Sequence, residues 1–250
     1  MSRAGGRMSN YADFLTSVER DQTSPNIRPK DAATLILIDR SGALPQVLLG
    51  RRHHGHKFMP GKFVFPGGRV EAADRKMAVR ATLDPQMEKQ LTRAVKRPSR
   101  MLARALTLAA VRETFEETGL LLGAKSSAPG DVADGPWAAF LRAGFEPDLS
   151  VIHFVGRAIT PPGRPRRFDT RFFTADTSAI AHRVEGLIGP DSELVELVWL
   201  PIADAKQLDM PAITTVMLAE LEARVAAGLG HELPVPFYRM LHKRFARALL

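Results

Sequence analysis

The chain has 250 residues, 45% of them hydrophobic, and its 35 Lys plus Arg outweigh 27 Asp plus Glu for a formal charge of +8. That length and apolar content fit one domain with a sizeable core and accessory helices. Cysteine is absent, which excludes disulfides and thiolate chemistry, and no apolar run approaches the ~20 residues of a membrane span.

Residues 1–30 are polar, with Ser24-Pro25 and Arg28-Pro29, and read as a tail or an outer helix before a domain spanning 31–210. Ala32 to Ile38 is an apolar β run, Gln46 to Gly50 its hairpin partner, and Lys62 to Phe65 a third short strand that delivers a glycine pair, Gly67-Gly68. The stretch from about 76 to 100 carries Asp84-Pro85 and a helix-compatible segment, and its charge pattern reads as a solvated excursion. Leu102 to Thr118 is a helix stopped by Gly119. A short helix near Trp137 to Ala143 follows, then strands at Ile152 to Ile159, Arg171 to Ala175 and Leu194 to Leu200. Ala212 to Ala227 reads as an amphipathic helix and Val235 to Leu250 as another, so 211–250 is a helical extension of the same domain. The sum is an α/β/α sandwich with a mixed sheet plus C-terminal helices.

The chemistry concentrates on the middle helix, in Arg112-Glu113-Thr114-Phe115-Glu116-Glu117-Thr118-Gly119-Leu120. At about 100° per residue, Glu113, Glu116 and Glu117 share an arc of roughly 100°, opposite Leu108, Val111 and Phe115. Crowded carboxylates repel one another unless a cation sits among them, and oxygen-only ligation favours Mg²⁺ or Mn²⁺. A solvated helix face paired with arginines is the bland alternative. Gly67-Gly68 tips the balance towards metal-assisted chemistry on a phosphate, because glycine lets the backbone approach a metal or phosphate closely.

These residues resemble the Nudix box, G-x5-E-x7-R-E-U-x-E-E-x-G-U, with Gly68 at its first glycine, Asp74 at its first acid, and Arg112 to Leu120 as its second half. Asp74 replaces the usual glutamate, Thr114 takes an aliphatic position, and Arg75 to Val111 stands where the family has a short spacer. A surface loop lengthens at small entropic cost while its ends stay together. Upstream, Leu48-Leu49-Gly50-Arg51-Arg52, Lys57, Gly61 and Phe65-Pro66-Gly67-Gly68 resemble the motif that precedes the box in coenzyme A diphosphatases, with Gly50, His53 and Lys57 as departures.

The resemblance implies that Gly68, Glu113, Glu116 and Glu117 hold the metal, that Glu113 and Glu116 are catalytic, and that Arg112 orients a carboxylate, Asp74 or Glu71. Glu113 is the first candidate for a base or ligand, and Glu193 and Glu196 are the distal candidates for the base. Arg52 and Lys57 are expected to contact phosphates, and the basic cluster Arg164, Arg166, Arg167 and Arg171, interleaved with Phe168, Phe172 and Phe173, is suited to an adenine and a 3′-phosphate; an edge strand with arginine gatekeepers is the competing reading. His53, His54 and His56 read as a loop rather than a metal cluster.

The implied reaction is hydrolysis of coenzyme A or acyl-CoA to 3′,5′-ADP and (acyl-)phosphopantetheine, with ADP-ribose, NADH or a nucleotide sugar as alternative substrates and a non-catalytic nucleotide-binding regulator as a further alternative. The expected partner is a small nucleotide. A homodimer through the terminal helices is also compatible, nucleic acid and membrane are disfavoured, and the absence of an apolar leader points to the cytoplasm.

Overall fold

The computed structural model describes residues 4–55, 59–126 and 132–250. Helix α1 (Ala4–Ser17) precedes β1 (Lys30–Asp39), β2 (Gln46–Arg52), β3 (Phe63–Val64) and β4 (Gly67–Arg69). Helices α2 (Pro85–Thr92) and α3 (Arg100–Thr118) follow, then β5 (Leu120–Lys125), α4 (Ala138–Arg142), β6 (Phe145–Pro147), β7 (His153–Ile159), β8 (Phe168–Asp176), β9 (Ile180–Arg183) and β10 (Leu194–Pro201). The chain closes with α5 (Ile202–Ala205), α6 (Ala212–Ala226), β11 (Pro236–Leu241) and β12 (Arg244–Leu249). The fold is a mixed sheet with helices on its faces.

The main sheet runs β10-β2-β1-β8-β7-β11-β12, with β3 on β2 and β4 on β1. Its centre is parallel, Ala33 of β1 facing Arg171 of β8. Period-2 alternation splits β1 between two cores. Leu35 and Leu37 pack with α3 residues such as Leu106, Leu108 and Phe115. Ile36 and Ile38 pack with Val216, Met217 and Leu221 of α6.

The active region depends on a splay between β1 and β2. They pair only at Ile38 with Val47 and Asp39 with Gln46. Beyond that point β2 continues against β3, while β1 continues against β4, with Ala33 opposite Gly68. The segment Phe65-Pro66 bridges the gap, and the Pro66 carbonyl accepts from the Leu35 N–H. The glycine pair is thus wedged between the strands, in front of α3.

Two expectations change. The 76–100 excursion is not merely solvated: Asp84 caps α2 by accepting from Gln86 and Met87 N–H groups, which places Met87 and Leu91, one turn apart, in the core. Val235 to Leu250 is no helix but the β11–β12 hairpin, which extends the sheet from β7. Tyr238 of this hairpin donates its hydroxyl to buried Glu220 of α6, which Arg247 also contacts at 2.9 Å. Successive residues Phe237 and Tyr238 are both buried, one in each of the two cores, as opposite faces of a strand allow.

Candidate active site

Helix α3 starts at Ser99, whose hydroxyl oxygen accepts from the Leu102 N–H, and ends at Gly119 in the left-handed region, φ 74°. A side chain at Gly119 would also collide with the Val184 carbonyl. Between these ends the helix aims its last two turns at the glycine wedge. Arg112, 2% exposed, organises this stretch. Its Nε and Nη2 donate to Asp74 at 2.9 and 3.1 Å, its Nη2 also to the Arg69 carbonyl, and its Nη1 to Glu113 and Glu116 at 3.0 and 2.9 Å. Asp74, fully buried, takes a third bond from Trp137 Nε1.

Both glycines are required by contact. A Cβ on Gly68 would overlap the Glu113 carboxylate, so only glycine lets that side chain lie against the wedge. The Gly67 N–H donates to Glu117 Oε2 at 3.1 Å. Among the described residues no three acidic or histidine side chains converge with the spacing of a metal shell. Arg112 draws Glu113 and Glu116 to itself, and Glu117 turns to the Gly67 amide.

The charge set nevertheless fits a cation. Burial pushes the Glu113 carboxyl up to about 7, with Glu116 and Glu193 adding repulsion and Arg112 opposing. Burial also raises Glu117 well above the usual carboxylate range, reinforced by Glu193 and Glu113. Glu116 is raised by burial too. Desolvated, mutually repelling carboxylates beside a glycine backbone favour a hard divalent ion and oxygen donors.

The site opens into a cleft of about 410 Å³ lined by Arg52, Gly67, Gly68, Glu113, Glu117 and Glu193 on its polar side. Phe65, Phe168 and Phe172 also face it. It continues past Met59, Thr170, Phe172 and Ile213 into a second chamber of about 440 Å³, where apolar Leu15, Val18, Met210 and Phe245 stand with Arg20, Lys62, Arg164 and Arg166. The cleft therefore has a carboxylate end and a more apolar end with a cationic rim.

Arg52 enters the cleft and pairs with Glu193 at 2.9 Å. Glu193 precedes a β-bulge in β10, across which Leu194 and Glu196 oppose Arg52 and Arg51. Glu196 lies outside the cleft, paired with Arg51 at 2.7 Å. Glu116 is likewise not part of the lining, standing beside it on Arg112. Lys57 and His56 fall outside the described residues. His53 Nδ1 accepts from the Gly55 N–H and His54 contacts Arg51 Nη1, so neither approaches the carboxylates as a ligand.

Arg166 lines the cleft, but Arg167 and Arg171 of the same cluster are not brought into it. Along β8 the even positions, Phe168, Thr170 and Phe172, face it, and the odd ones turn away. Arg171, 1% exposed, is held by Asp31 at 2.9 Å and by Asp169, and Arg167 is held by Thr160, Asn26 and Ile27. Both are spent on fastening β8 to β1 and to the chain before it. Alternation along β8 was the signal that separates these two from Phe168 and Phe172. Nothing in the spacing of the chain signals the Trp137 bond to Asp74 or the Glu117 bond to Gly67.

No family model matches the chain. Among solved structures, a Nudix hydrolase from Alicyclobacillus acidocaldarius superposes with a TM-score of 0.60 at 29% identity, covering 81% of this chain and 98% of that one. The Nudix domain of Shewanella oneidensis NrtR, complexed with ADP ribose, gives 0.46 at 12% identity over 86% of this chain and 97% of that one. RenU, a Nudix hydrolase from M. smegmatis, gives 0.42 at 15% identity over 81% and 91%. The match to the Alicyclobacillus enzyme over nearly its whole length, together with the Arg112–Asp74 pair that reunites the split box, supports a Nudix hydrolase.

Proposed function

We propose that the protein hydrolyses the diphosphate of coenzyme A or an acyl-CoA, releasing 3′,5′-ADP and (acyl-)phosphopantetheine. Glu113, Glu116, Glu117 and the Gly68 carbonyl would hold Mg²⁺ or Mn²⁺. The ion supplies neutralisation of the charge on the diphosphate oxygens. Arg112 keeps Glu113 and Glu116 in place by the bonds it already makes, and Arg52 faces the phosphates from the cleft wall. Water attacks phosphorus and the bond to the leaving phosphate oxygen breaks. Glu193, which lines the cleft without a bond to Arg112, takes the water's proton.

The observation that favours coenzyme A over smaller dinucleotides is the apolar chamber joined to the carboxylate cleft. ADP-ribose, NADH and nucleotide sugars have no hydrocarbon arm to fill it, whereas an acyl-pantetheine arm does so at roughly 0.8 kcal/mol per buried methylene. The test is turnover of coenzyme A, a medium-chain acyl-CoA and ADP-ribose with Mg²⁺ or Mn²⁺, with products resolved by mass and Glu116→Gln as control. Acyl-phosphopantetheine release that the substitution abolishes is expected. Equal or faster turnover of ADP-ribose would overturn the coenzyme A reading.

A further inference from the structure

Beside the cleft lies an open groove of about 670 Å³ that meets it at Arg69 and Glu71. Arg28, Lys30, Arg69 and Arg75 line it. All four are exposed, and among the described residues none of them is in an ion pair. Two acids share the groove, but Asp31 is committed to Arg171, which leaves Glu71 to oppose four cations.

Most of the molecule's interior cations are neutralised in place: Arg112 by Asp74, Arg157 by Asp169, Arg247 by Glu220. The groove is different, and its backbone explains why. Ala32 pairs with Arg69 and the Val70 N–H bonds to the Asp31 carbonyl, so β1 and β4 bring Lys30 and Arg69 to one strand edge. The one-turn 3₁₀ helix Ala73–Arg75 adds Arg75 from the side, while its Asp74 points inward to Arg112. The same local turn that completes the carboxylate site therefore sets the groove's charge.

We propose that this groove is a second anion subsite, which binds a phosphate monoester carried on the nucleoside half of the substrate, apart from the diphosphate that is cut. A monoester dianion suits several convergent guanidinium groups, which bond phosphate oxygens in pairs. The carboxylate cleft then joins the second chamber through Met59, Thr170, Phe172 and Ile213 and the cationic groove through Arg69 and Glu71. The subsite deepens the coenzyme A reading and rests on it for the identity of the substrate, since that nucleotide carries a 3′-phosphate.

The test uses binding without turnover, so that it stands apart from any failure of hydrolysis. By calorimetry with Mg²⁺ present, 3′,5′-ADP, which has no anhydride to cut, is compared with 5′-AMP and with inorganic phosphate. The full chain is expected to bind 3′,5′-ADP about tenfold or more tightly than 5′-AMP, the effect of one or two charge-assisted bonds. Arg28→Ala with Arg75→Ala should remove that preference while 5′-AMP affinity moves less than about twofold. Equal affinities for the two nucleotides in the unaltered protein would overturn the proposal. So would a parallel loss for both in the double variant, or inorganic phosphate binding as tightly as 3′,5′-ADP.

Discussion

Arg112 and Asp74 form a two-bond ion pair in the interior, Nε to Oδ1 at 2.9 Å and Nη2 to Oδ2 at 3.1 Å, across a separation of 38 positions. The pair closes the neck of the excursion that divides the box, so its length is absorbed outside the site. Neutralising Asp74 weakens a buried two-bond pair while Glu113 and Glu116 still face the guanidinium, at a cost of about 1.5–3 kcal/mol. Asp74→Asn should therefore lower denaturant stability by about that much and weaken metal-dependent turnover with it. A variant with unchanged midpoint would show that the pair does not hold the neck.

Gly68 has no room for a methyl group against Glu113. Gly68→Ala is expected to leave the far-ultraviolet circular dichroism intact while pushing Glu113 off the wedge. A displacement of about 1 Å at a catalytic group costs on the order of a hundredfold in kcat. Turnover within threefold of the parent would contradict the close approach.

Glu113 has a folded-state pKa near 7, above the usual carboxylate value, because burial disfavours its charge. A raised pKa means that the folded state binds the proton more tightly, so this stabilisation is fully present below the unfolded pKa of about 4.3 and is lost as pH rises through about 7. Without divalent ions, thermal stability should fall across that window. Glu113→Gln should reduce the slope, with Glu117, raised in the same direction, supplying the remainder. At pH 8, Mg²⁺ should raise the Tm of the parent more than that of the variant. A flat profile would mean that burial does not disfavour the charged forms of Glu113 and Glu117 in the fold.

The two distal glutamates separate by position. Glu193 lines the cleft and Glu196 is turned to Arg51. Glu193→Gln should lower kcat by about a hundredfold or more, as loss of a general base does, and Glu196→Gln by less than about threefold. Should Glu193→Gln keep its kcat, the proton passes to Glu113 instead.

The sequence by itself determined the parts that depend on near neighbours. Glu113, Glu116 and Glu117 share a helix face because they sit within one turn, Gly119 ends that helix, and strong apolar runs such as Leu35 to Ile38 form core strands. The C-terminal hairpin was hidden because its turn, His242-Lys243, takes φ of 47° and 65° without the glycine or asparagine that marks such turns. Short strands such as β6 and β9 carry too few residues to show a period.

Only the tertiary structure decided which charges line the cleft and its groove. Arg171 and Arg69 are both arginines near phenylalanines or glycines in sequence. One is buried because Asp31 on a neighbouring strand holds it, and the other stays exposed at a strand edge beside Arg28 and Arg75. Such pairing joins residues far apart in the chain, and the desolvation that raises Glu113 and Glu117 comes from the packed surroundings of α3. Spacing along the chain carries neither quantity; both arise when the sheet and helix close on each other.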